Sequence, residues 1–110
     1  MQISARQFEG WVIFDIAGDI DLAHSPAMRK ALLGAIKEKR TPKVYLNLKS
    51  VRYIDSSGIA SLVEGLKASR DVGSRMILYG LSPSVREVME LSRLQKIFEI
   101  YENEEQALAT

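Results

Sequence analysis

From Lys43 onward the chain alternates between two hydrophobic rhythms, and that alternation restricts the fold more than any other property of the sequence. "KVYLNL", "RMILYG" and "IFEIY" are short apolar runs of strand length, and the first places Val44, Leu46 and Leu48 on one face. Between them the apolar residues recur every three or four positions: Ile59, Leu62, Val63 and Leu66, then Val85, Val88 and Met89. A strand that rejoins its sheet through a helix runs parallel to the strand before it, because the helix carries the chain back to the starting end. A sheet whose later strands are mostly parallel, with helices packed on it, is expected.

The rest of the chain fits that frame. "QISARQF" and "WVIFDIAG" flank a turn at Glu9-Gly10 and read as a hairpin. Ser25 is a favoured N-cap and Pro26 suits the first helical position; Met28, Leu32, Ala35 and Ile36 then continue a helix from about 25 to 39. Gly73 supplies a stop for the second helix, and Ser82-Pro83 opens a third as Ser25-Pro26 opens the first. Asn103, with Gln106 three residues on, has the pattern of a capping box before a short last helix. The expected class is α/β, a mixed sheet of four to five strands with about four helices packed on it, in the order ββαβαβαβα. At 110 residues and 46% hydrophobic content, one domain over 1–110 is expected.

Several functions are disfavoured by composition. Fifteen basic side chains against fourteen acidic ones leave no broad field to attract nucleic acid or anionic lipid. The basic cluster Lys37, Lys39, Arg40 and Lys43 falls at a helix end, where cations offset the dipole. Cysteine is absent, so thiolate metal sites and thiol nucleophiles are excluded. The first twenty residues do not have the pattern of a signal peptide, and no apolar run approaches a membrane span, so a cytoplasmic protein without membrane insertion is expected.

The most informative stretch is "VRYIDSSGIASLVEGL", residues 51–66, where an acid, two serines and a glycine precede the buried stripe of the second helix. The first turn of a helix leaves backbone donors unpaired, and Asp55 or either serine could satisfy one of them. One cap is enough, so a second hydroxyl asks for another role. If Ile59, Leu62, Val63 and Leu66 face the sheet, Ser57, Ser61, Glu64 and Ala68 share the opposite face, with Ser57 exposed. Gly58, Ala60 and Ser61 are small and would leave the first turn open to another molecule. A shallow patch around one hydroxyl suits a protein partner better than catalysis.

No enzyme is expected. A serine nucleophile needs a base, and His24 is the only histidine. The elbow G-x-S-x-G is absent from the serine segment, as are the phosphate loop G-x-x-x-x-G-K and the dinucleotide turn G-x-G-x-x-G. Asp15, Asp19 and Asp21 without nearby histidines make at most a weak hard-cation site. No metal or cofactor is expected.

"YIDSSGIASL" preceded by "VYLNLKSV" resembles the STAS domain family, and within it the bacterial anti-sigma factor antagonists. "IAGDIDLAHSPAMRKAL" and "LYGLSPSVREVMELSRLQKIFEIYENEEQAL" are similar to flanking segments of the same family, so the likeness runs almost from end to end. The resemblance implies a small sheet flanked by helices and a regulator. It implies that Ser57 is phosphorylated by a partner, an anti-sigma factor and serine kinase with a histidine-kinase-like ATP-binding fold. The unmodified protein would bind that kinase and free a sigma factor, and a metal-dependent serine phosphatase would restore it. Asp21, Asp55, Ser56, Ser57, Gly58, Ala60 and Ser61 would form the partner-binding surface, with Asp55 holding the loop. The alternative within the family is a cytoplasmic subunit of a membrane transport or lipid-trafficking ABC complex. Three positions depart from the family pattern: Ala60 and Arg93 stand where relatives often carry glycine, and His24 where a small residue is usual. A left-handed backbone at Arg93 would cost roughly 1 kcal/mol.

Overall fold

The computed structural model describes residues 1–110. Strand β1 (Gln2–Phe8) turns into β2 (Trp11–Ile20), and helix α1 (Ser25–Leu33) leads through a π-helical turn (Gly34–Glu38) to β3 (Lys43–Ile54). Then follow α2 (Ser56–Val72), β4 (Arg75–Tyr79), α3 (Pro83–Leu91), β5 (Glu99–Tyr101) and α4 (Glu104–Leu108). The five strands lie side by side in chain order. β1 is antiparallel to β2, and every later pair is parallel. The expected order and sheet are the ones found.

Local chemistry accounts for the joints. Glu9 and Gly10 both have positive φ, 50° and 84°, as a two-residue turn of the primed type requires, and Phe8 pairs directly with Trp11. α1 begins one residue earlier than its sequence pattern suggests: His24, not Ser25, is the N-cap, without a side-chain cap bond, and Ser25 is buried in the first turn. Ser82 caps α3 by accepting from the Val85 amide at 3.4 Å while donating to the Val51 carbonyl at 2.8 Å. Asn103 accepts from the Gln106 amide at 2.9 Å, and the Gln106 side chain reaches back to the Glu102 amide instead of that of Asn103. Gly73 ends α2 with φ 73°. Arg93, just beyond α3, does adopt φ 56°, so its left-handed strain is present.

Side chains alternate across the sheet, and the two faces are covered unequally. Val44, Leu46 and Leu48 face Met28, Leu32, Leu62, Val85 and Met89 in one core of 23 residues beneath α1, α2 and α3. The intervening Ile13, Tyr45, Ile77 and Tyr79 form a second, smaller cluster with Ala107 of α4. A fan of hydrogen bonds holds α4 there: Glu104 accepts from Arg6 and from the Tyr79 hydroxyl, both at 2.6 Å, and Arg6 also binds Asp15. Burial and the Glu104 contact both push the Tyr79 hydroxyl well above the usual phenol range.

The strand register carries the fold to the site. β3 has 12 residues where β2 has 10, and two irregularities, at Asp15/Ala17 and Gly18/Asp19, absorb the difference. Gly18, with φ 90°, meets the second. The ends therefore stay level: Ile20 pairs with Ile54, and the chain leaves both strands at the same edge.

Candidate functional site at the start of helix α2

Asp55 follows immediately on Ile54, and its amide donates to the Ile20 carbonyl at 3.2 Å, which locks the end of β3 to that of β2. Its backbone is extended while the next residue is helical, the conformation of an N-cap. One carboxylate oxygen, Oδ1, accepts from the Ser57 amide at 3.0 Å, the Gly58 amide at 3.1 Å and the Ser57 hydroxyl at 2.5 Å. Between Asp55 and the serines the cap is therefore Asp55. The Ser57 hydroxyl bond, the largest influence, together with the amides of Gly58, Ser57 and Leu22 holds the Asp55 carboxyl below its ordinary range against a desolvation cost.

Ser57 is half-buried, not fully exposed, and Ser56 before it is exposed. With its hydroxyl aimed at Asp55, Ser57 is held in one orientation at the mouth of a helix whose amides point outward. Asp21 stands across from it, at the level end of β2. The Asp21 carboxylate accepts from the His24 amide at 3.1 Å and contacts its Nδ1 at 2.6 Å. Desolvation raises the Asp21 carboxyl, but the contacts with His24 outweigh it and leave it below the usual range. Leu22, whose amide bears on the Asp55 carboxylate, is 75% exposed, an apolar side chain in solvent. The sequence offered one sign of it: a leucine in the polar-flanked stretch Asp21–His24, outside any periodic stripe.

Three expected surface residues are not on the surface. Gly58 is buried, and a Cβ there would lie 2.6 Å from Ile54 Cγ1 and 2.7 Å from the Ile20 carbonyl oxygen. Its smallness serves contact between α2 and the ends of β2 and β3. Ser61 is buried as well, with its hydroxyl directed at the Ser25 carbonyl at 3.5 Å, and Ala68 is buried further along. The reason is that α2 packs on α1 as well as on the sheet. Gly65 marks the same seam, since a Cβ there would stand 3.0 Å from Met76 and 3.1 Å from Leu32. Small residues at 61, 65 and 68 are a helix-packing pattern that the sheet-facing stripe alone did not disclose. Of the residues expected to share the exposed face, Glu64 remains outside and pairs with Arg29; Ala60 is also exposed. The three aspartates considered for a cation have separate partners: Asp15 pairs with Arg6, Asp19 with Arg52 and Asp21 with His24.

The profile of the STAS domain matches residues 2–107. The chain belongs to the STAS domain family. Curated members similar to it include an anti-sigma F factor antagonist of Paenibacillus polymyxa, 30% identical over 108 residues that cover 98% of this chain and 92% of that protein. An anti-sigma-B factor antagonist of Listeria monocytogenes is 31% identical, covering 91% and 86%. Among solved structures, an anti-sigma factor antagonist from Mycobacterium paratuberculosis superposes with a TM-score of 0.83 at 23% identity, covering 98% of this chain and 91% of that one. The Bacillus cell fate determinant SpoIIAA in its phosphorylated form gives 0.76 at 22%, covering 98% and 97%. Those two likenesses bear on the fold. No helix here is long and apolar enough to cross a membrane.

Proposed function

We propose that this STAS protein is an anti-sigma factor antagonist switched by phosphorylation of Ser57. In its unmodified form it binds an anti-sigma factor that is also a serine kinase, of the histidine-kinase-like ATP-binding fold, and so releases a sigma factor. A metal-dependent serine phosphatase reverses the modification. The observation that carries this reading is the Ser57 hydroxyl, fixed by Asp55 at a helix start whose rim, Ser56, Ala60 and Leu22, is uncovered.

The geometry suits each step. In the transfer, Ser57 Oγ forms a bond to the γ-phosphorus of ATP as the bond to the ADP oxygen breaks, and the hydroxyl proton leaves. Asp55 already accepts that hydrogen, but its depressed proton affinity makes it an orienting group; the base comes from the kinase. The product carries ~1.5 to 2 negative charges at a helix N-terminus, where amides and dipole favour an anion. It also loses the hydrogen bond to Asp55 and sets two anions side by side. Asp55 and the phosphate then compete for the amides of Ser57 and Gly58, so rearrangement is confined to the first turn.

The effect on the partner is larger. Covering the rim strips water from the phosphate, which is costly without a matching cation. Immobilised protein exposed to extract of its own cells tests this. Unmodified protein and Ser57→Ala should retain an ATP-binding kinase, whereas Ser57→Asp should weaken its binding by about 2 kcal/mol, roughly 30-fold. Retention of a transporter ATPase would overturn this reading in favour of a transport complex, and equal retention by Ser57→Asp would remove the switch.

A further inference from the structure

A sizeable cavity lies away from Ser57. It is an open groove of about 500 Å³ between the helical face of β1 and the flank of α1 and its π-helical turn. Ala5 and Phe14 form its floor, and Ala27, Ala31 and Gly34 one wall. Gly34 has no backbone need to be glycine: its φ is −61°, and a Cβ there would meet nothing within 4 Å. A glycine at such a helical position costs about 1 kcal/mol against alanine, yet here it widens the groove.

The same groove runs along an unguarded sheet edge. β1 pairs only with β2, so its outer backbone groups over Gln2–Phe8 have no strand partner. Long edges are normally blunted by proline, bulges or several charges. β1 has no proline, an unbroken register and one charge, Arg6, which is engaged by Asp15 and Glu104. The opposite edge, β5, is only 3 residues long.

We propose that β1 and this groove form a second docking site, which takes an extended acidic-apolar peptide segment of another protein as a sixth strand. The edge supplies main-chain hydrogen bonds, and alternate side chains of the added strand enter the groove. Large apolar side chains fit there, because the walls are alanine and glycine. The rim selects carboxylates: Lys30 and Lys39 line it, neither forms an ion pair, and they outnumber Glu38. A second copy of β1 fits poorly, since "QISARQF" contains no acid and brings only Ile3, Ala5 and Gln7 to that face. None of the groove residues belongs to the segments 21–24 or 55–61, so the site stands apart from the Ser57 switch.

Selection of random linear nonapeptides displayed on phage against the full chain tests this. The expected winners alternate large apolar residues and carry at least one acid; they protect the amides of Gln2–Phe8 from hydrogen exchange. Ala27→Glu and Lys30→Glu, both at exposed positions, should each lower their affinity at least tenfold, while Ser57→Asp leaves it unchanged. Three results would overturn the proposal: no enrichment over the Lys30→Glu protein, protection elsewhere than β1, or protection of β1 by self-association without peptide.

Discussion

Helices α1 and α2 start side by side, from strand ends that are paired at Ile20 and Ile54, yet their first turns are built differently. α2 has a carboxylate cap with three donors on one oxygen, whereas α1 begins at His24 without any side-chain cap. Asp21 could have capped α1, but its carboxylate is used within the loop, on His24. The outcome is one rigid start that aims a hydroxyl, and beside it a loop that offers an exposed leucine. The difference teaches that a helix start orients a hydroxyl where its cap also bonds that hydroxyl, as Asp55 does with Ser57.

The contrast can be broken at Gly58 with the largest effect. Gly58→Val pushes side-chain atoms into Ile54 and the Ile20 carbonyl, and should destabilise the fold by about 3 kcal/mol in urea unfolding. Ala60→Val, at the exposed position two residues on, should change stability by less than about 0.5 kcal/mol. Next comes the cap. Asp55→Ala should lower the urea midpoint clearly, and Asp21→Ala should leave it nearly unchanged, because only the first removes a helix cap.

Acid sharpens the same contrast. Both carboxyls are depressed in the folded protein, so the stability they add is present at neutral pH and above their ordinary values near about 4. It fades as pH falls through the lowered folded values. In carboxyl titrations by NMR, Ser57→Ala should raise the midpoint of Asp55 and leave Asp21 alone, and His24→Ala should do the reverse. A shared response of both carboxyls to either change would make the two starts one unit. The smallest effect belongs to a helix end outside the site: Arg93→Gly relieves the left-handed φ of 56° and should stabilise the protein by about 0.5 kcal/mol, visible as a raised melting temperature.

The element order was legible because strand and helix rhythms alternate over most of the chain, and because Gly73, Ser82 and Asn103 mark boundaries by mechanisms that act within a few residues. Asp55, Ser56 and Ser57 were legible as a helix start for the same reason. What the sequence hid depends on contacts between distant segments. The stripe at Ile59, Leu62, Val63 and Leu66 points α2 at the sheet but says nothing of α1, so Ser61 and Ala68 were placed in solvent. Gly58 looked like an opening for a partner, and only the level ends of β2 and β3 show that it meets Ile20. That level depends on the irregularities at Asp15/Ala17 and Gly18/Asp19, which period-two alternation cannot locate.

The central claim is that one oriented hydroxyl, on Ser57, receives the phosphate. The direct measurement is site-resolved mass spectrometry of this protein after incubation with ATP and extract of its own cells. The account predicts a single phosphate on Ser57, with none on the neighbouring Ser56 and none anywhere in Ser57→Ala. Phosphate on Ser56, or undiminished labelling of Ser57→Ala, would contradict it.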